Sequence, residues 1–152
     1  MGTAQHADMP TWECYDLVGA SSVGRLCFLD GDTPIALPVS FKLHRADDAS
    51  YIVVRTGPTS LMAKYVGPAS FEVDDIDVGS RTAWSVVLRG TVRASHANDQ
   101  LPKPDPWIVD GRHAWLLLEI SALSGRRFVA RDAADGFSVE WQFAATDQGP
   151  RR

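Results

Sequence analysis

Apolar and polar residues alternate over most of this chain, with the period of two that belongs to half-buried strands. The clearest case is 34–43, where Ile35, Leu37, Val39 and Phe41 share one face. The run 82–94 repeats it with Val86, Leu88, Gly90 and Val92, and 137–143 with Phe137, Val139, Trp141 and Phe143. Shorter apolar runs at 23–29, 51–55, 69–73, 115–120 and 126–129 read as further strands. They are divided by turn signals at Asp30-Gly31-Asp32-Thr33, 45–49 and 121–125. Pro38 interrupts its strand and belongs at an edge or a bulge. Only two stretches have a helical look. Thr11 is placed to cap a helix carrying Trp12, Tyr15, Leu17 and Val18 that ends near Gly19 to Ser22. Residues 60–66 read as about two helical turns, stopped by Gly67-Pro68.

Six to seven antiparallel strands, mostly joined by hairpins, with two short helices predict a mainly β fold. A small barrel is the usual way for so many short strands to hide their edges. The core-bearing domain is expected over 11–144, between a loose arm at 1–10 and a free tail at 145–152. The proline-rich segment 98–106 is expected to be a loop excursion.

With 152 residues, 45% of them hydrophobic and 22% charged, the chain can bury a core without staples. The formal charge of −4 and the lack of a basic face argue against nucleic-acid binding. Cys14 and Cys27 form no CxxC, and His6, His44, His96 and His113 are scattered, so neither a disulfide framework nor a metal site is expected. The acidic run Glu72, Asp74, Asp75, Asp77 reads as one strand face followed by a turn, not a cation loop. No signal peptide or spanning segment is apparent, so the expectation is a cytoplasmic protein without membrane contact.

Candidate chemistry gathers between residues 51 and 90. Arg55-Thr56 closes an apolar strand and Ser60 opens the expected helix, with Lys64 one turn on. A cation, hydroxyls and a helix start are what a phosphate needs. Trp84 and Ser85, on a later strand, offer an aromatic face and a hydroxyl to a planar ring.

Several segments recur in a recognisable order. These are Val23-Gly24-Arg25-Leu26, Leu37-Pro38-Val39-Ser40-Phe41, Arg55-Thr56-Gly57, Phe71-Glu72-Val73-Asp74, Trp84-Ser85-Val86-Val87-Leu88-Arg89-Gly90 and Ser124-Gly125-Arg126-Arg127-Phe128, with Glu13-Cys14 before them. Across residues 11–130 the chain resembles the pyridoxamine 5'-phosphate oxidase-like, FMN-binding split β-barrel proteins, particularly the small single-domain actinobacterial ones. The resemblance implies a homodimer with two flavin sites at the subunit interface. It implies phosphate contacts from Arg55, Thr56 and Ser60, a ring lying along Pro38, Val39, Ser40 and Phe41, and Trp84 and Ser85 nearby from a neighbouring strand or subunit. The implied activity is that of a flavin-dependent oxidoreductase acting on a small molecule. In one respect the chain departs from the family pattern: Ser60 stands where a phosphate-binding Lys is common. A charge-assisted contact contributes about 1.5–3 kcal/mol, or roughly 10- to 100-fold in affinity. Two alternatives therefore stand beside FMN: a site for another cofactor (the deazaflavin F420, or haem), and a non-enzymatic flavin or small-molecule carrier.

Overall fold

The computed structural model describes residues 5–95, 101–104 and 114–129. The expected strand at 137–143 and the tail at 145–152 lie outside these residues, as does most of the proline-rich segment. The order of elements is β1 (Gln5–Asp8), α1 (Thr11–Ala20), β2 (Val23–Asp30), β3 (Thr33–Arg45), β4 (Ser50–Thr56), β5 (Gly67–Asp77), β6 (Thr82–Ala94) and β7 (Ala114–Val129). All strand pairings are antiparallel. The sheet runs β1-β7-β4-β3-β2-β5-β6, and a further β6–β7 pairing closes β2 to β7 into a six-stranded barrel. This is the expected mainly β, split-barrel fold.

The alternation in the sequence sorts the barrel as anticipated. Val39 and Phe41 of β3 are buried, with Ile35 and Leu37 packed against the same cluster. Phe41 meets Phe71 edge-on at 4.8 Å, and Leu26, Ile52, Val54, Val86, Leu88, Leu116 and Leu118 fill the space around them. Burying each of these large side chains contributes about 1.5–3 kcal/mol.

The barrel is split at one seam. β3 pairs with β2 over Thr33 to Ser40, but with β4 only over Phe41 to Arg45. Beyond the Phe41–Val54 pair the two strands part, and among the described residues the first half of β3 has a single neighbour. Phe41 donates its N–H towards β2, to Ser22 O at 3.1 Å. Main-chain groups alternate along a strand, so those of positions 34, 36 and 38 face the open side. Pro34 and Pro38 thus stand where a strand N–H would have no ladder partner, which is why β3 tolerates both.

Four expectations need correction. Residues 60–66 are not a helix: Ser60 N–H to Gly57 O, Ala63 N–H to Ser60 O and Tyr65 N–H to Met62 O make successive three-residue turns. Eight residues between Gly57-Pro58 and Gly67-Pro68 are too few to repay helix nucleation, and only Met62 among them is buried. Residues 121–125 are not a turn: β7 continues through them against β6, with a one-residue bulge at Ser121. The arm at 1–10 is not wholly loose, because β1 pairs with the end of β7 that β4 leaves free. Finally, Pro10 occupies the cap position of α1, with no side-chain cap, and Thr11 is the first helical residue.

Helix α1 closes one end of the barrel through Cys14 and Val18, both buried. It docks on Gly125, where an added Cβ would come 2.5 Å from Cys14 Sγ and 2.7 Å from Met9 Cε. Met9 N–H donates to Gly125 O at 3.0 Å, and Arg127 pairs with Glu13.

Candidate functional site

The seam between β3 and β4 gathers the expected site residues of those two strands. Pro38 and Ser40 point to the outer face of β3, opposite to the buried Val39 and Phe41. Lys42, next on that face, lies across from Val53. Arg55 continues the outer face of β4, its guanidinium over the Trp115 ring at 5.5 Å. Its cross-strand partner in β7 is that same Trp115. Two cations and an indole thus line the wall beside the open edge of β3. Val53 and Leu117 form its floor, both buried although they stand outside the core cluster.

Thr56 points to the other side of β4 and ends the strand. Its Oγ1 lies 2.7 Å from Ser60 Oγ. One of these hydroxyls must donate to the other, so the pair keeps a single O–H for a ligand. Ser60 stands where the resemblance leads to the expectation of a lysine, and the hydroxyl pair carries no charge. The absent helix removes the dipole expected at Ser60 as well. Lys64 is exposed in the following turns.

The structure thus divides the expected set. Pro38, Ser40 and Arg55 share one outer face, with the Thr56–Ser60 pair at its rim. The side chains of Val39 and Phe41 are committed to the core, so only their main chain is left to face a ligand. Trp84 and Ser85 are not brought to this seam. They sit on β6, opposite Asp75 and Asp74 of β5 on one side and Arg127 and Arg126 of β7 on the other. Trp84 packs against the core, and Ser85 is 8% exposed. Sequence reasoning did not place Lys42, a cation it weighed only for the anionic tail of F420, or Trp115 in this wall. The signal for Lys42 was present, since it falls on the same alternating face as Pro38 and Ser40. Trp115 could not be placed without the β4–β7 register.

Glu72 and Asp74 share one strand face, as expected, and both are held by Arg25, at 2.7 and 3.1 Å. Burial pushes the Glu72 carboxyl above the usual glutamate range, with the bond to Arg25 acting against it. Among the described residues no three His, Cys, Asp or Glu side chains gather as metal ligands. No described helix is long and apolar enough to cross a membrane.

A closed six-stranded barrel with one helix across its end and a seam at the β3–β4 junction agrees with what a family comparison finds. The family model described as pyridoxamine 5'-phosphate oxidase matches residues 10–127. The chain belongs to the pyridoxamine 5'-phosphate oxidase-like family. No curated protein matches it. A conserved protein of unknown function from Corynebacterium diphtheriae has the same fold, with a TM-score of 0.69 at 22% identity, over 82% of this chain and 98% of that one. The FAD binding protein from Mycobacterium smegmatis gives 0.68 at 24% identity, over 81% and 98%. The FAD and heme binding protein from the same organism gives 0.57 at 13% identity, over 87% and 76%. At these identities the likeness carries the fold and not the ligand.

Proposed function

We propose that this member of the family is a flavin-binding oxidoreductase. The flavin ring would lie along the open edge of β3, with its phosphate on the outer wall made by Arg55 and Lys42 and the Thr56–Ser60 hydroxyls at the rim. The observation that carries the reading is the seam itself. A strand edge with main-chain groups directed outward at 34, 36 and 38 adjoins two cations and an indole on one face. The polar edge of a planar heterocycle is suited to main-chain groups, and a phosphate to a guanidinium.

The residues present fit a flavin phosphate. Ser60 lacks the charge of the family's lysine, but Lys42 and Arg55 supply two cations nearby. Similarity to FAD binding proteins supports a flavin in general and makes FAD as reasonable an occupant as FMN. A bound flavin would supply hydride or electron transfer, and the chain would bind and orient it. Because Trp84 and Ser85 stand away from the seam, a ring that meets them must meet those of a second copy. The reading therefore includes a homodimer whose twofold axis brings β6 of one copy to β3 of the other.

The test is titration of the purified chain with FMN, FAD, F420 and haem, followed by flavin fluorescence and absorbance. Saturable quenching by FMN or FAD at one flavin per chain is the expected result. A protein that quenches neither, or that binds only haem or F420, overturns the reading. Turnover with NAD(P)H and an acceptor at ordinary enzyme rates, about 1–1,000 per second, separates an oxidoreductase from a flavin carrier.

A further inference from the structure

A concavity of about 450 Å³ lies between the β2–β3 hairpin and strands β5 and β6, and takes in Pro34 and Ile35 from the open half of β3. It opens because β2 and β5 pair only from Arg25 to Cys27 against Glu72 to Ser70. Beyond those three pairs the β2–β3 hairpin leans away from the barrel. One wall is apolar, formed by Phe28, Leu29, Pro34 and Ile35. The other carries Ser70 and Arg89, which are cross-strand partners on β5 and β6.

The position of Arg89 is built by its surroundings. The β6–β7 register shifts between Arg89 and Gly90. Gly90 lies so close to β7 that an added Cβ would stand 1.8 Å from Glu119 O. Ser121 spends its hydroxyl proton on Arg89 O at 3.1 Å, which fastens the irregularity from the other strand. The extra residue of this bulge is Ser121 of β7, between Ile120 opposite Gly90 and Ala122 opposite Arg89, and Ser121 and Arg89 both line the groove. None of the ion pairs among the described residues uses Arg89. Glu72, two residues from Ser70 on the same face of β5, is already held by Arg25. Burial raises the pKa of the Cys27 thiol, so the groove keeps a single positive charge.

We propose that this groove binds an organic carboxylate with a short apolar body, its carboxylate on Arg89 and the Ser70 hydroxyl and its body against the Phe28 to Ile35 wall. The volume falls within the roughly 300–1,000 Å³ of small-molecule sites. One guanidinium matches one carboxylate charge in a fork-to-fork pair. A dianionic phosphate would keep an excess charge facing Glu72. The groove adjoins the open edge of β3 at Pro34, but Arg89 and Ser70, which carry the proposed contact, have no part in the flavin reading.

Isothermal titration of the full chain with 4-phenylbutyrate and octanoate, each beside its neutral amide, is the test. The acids should bind at least about tenfold more tightly than the amides, the value of one charge-assisted contact. Arg89→Gln should abolish that preference while leaving amide binding and flavin affinity unchanged. Leu29→Asp, at an exposed lip, should weaken acid binding by a similar factor and serves as an independent arm. No saturable binding of either acid, equal affinity for acid and amide, or a preference that survives in Arg89→Gln each overturns the proposal. The last outcome would also show that the charge is read elsewhere.

Discussion

Replacing Gly90 by alanine is the sharpest structural test of the barrel, because the collision it creates is with main chain. The new Cβ would lie 1.8 Å from Glu119 O and 2.8 Å from Glu119 C. An ordinary C···O contact is near 3.3 Å, so β7 must retreat by about 1.5 Å. That is enough to break the two or three ladder hydrogen bonds around Gly90–Ile120, each contributing about 0.5–1.5 kcal/mol. The expected loss is about 3 kcal/mol, or a fall in Tm of roughly 6–12 °C for a domain of this size. Gly125→Ala makes the useful comparison. Its Cβ meets Cys14 Sγ of α1 and Met9 Cε of the segment just before it, side chains that can shift together with the docked helix. That substitution should cost about 1–2 kcal/mol. Adding Cys14→Ala should recover part of the loss. Urea unfolding followed by circular dichroism, at unchanged m, reads all three. A Gly90→Ala cost below about 1 kcal/mol, or below that of Gly125→Ala, would refute the close approach of β6 to β7.

Three other outcomes follow from the described contacts. Ser60→Lys restores the family's cation and should tighten FMN binding by roughly 10-fold or more, read by fluorescence quenching, and unchanged affinity would move the phosphate away from that turn. Burial raises the pKa of Glu72, so the folded chain holds that proton more firmly than the unfolded one, and this residue's contribution to stability falls as pH rises through the raised value. Glu72→Gln should therefore leave stability at pH 7 equal or higher and flatten its decline above the ordinary glutamate pKa, whereas marked destabilisation at pH 7 would show that the Arg25 pair outweighs burial. If Ser85 serves the seam of a second copy, mixing inactive Arg55→Ala and Ser85→Asp chains should regenerate up to one intact site per heterodimer, detected as recovered flavin binding, and a mixture with no recovery would place Ser85 outside the site.

The fold was legible wherever alternation met tertiary need. β6 has the bounds its pattern predicted, and Pro38 lies on the open half of β3 as its missing N–H requires. What misled was local chemistry that tertiary pairing overrode. Ser121, Ser124 and Gly125 read as turn residues, yet the uninterrupted partner strand β6 and the docking of α1 on Gly125 require a strand there. Residues 60–66 carry Leu61, Met62, Tyr65 and Val66 at helix-like spacing, but Leu61 and Val66 face solvent, so no packing supports a helix. The candidate site was legible in its framework and not in its detail. Arg55, Thr56 and Ser60 fall at the seam, whereas which face each side chain takes, and the indole beneath Arg55, follow from a register that no local pattern encodes.

The central claim is that the phosphate of a flavin is read at the β3–β4 seam by Arg55 with Lys42, and comparing riboflavin with FMN isolates the phosphate. The chain should prefer FMN to riboflavin by at least about tenfold, and Arg55→Ala should erase most of that preference while riboflavin affinity and thermal stability hold. A preference for FMN that persists undiminished in Arg55→Ala, or equal binding of the two flavins by the unaltered chain, would contradict the account.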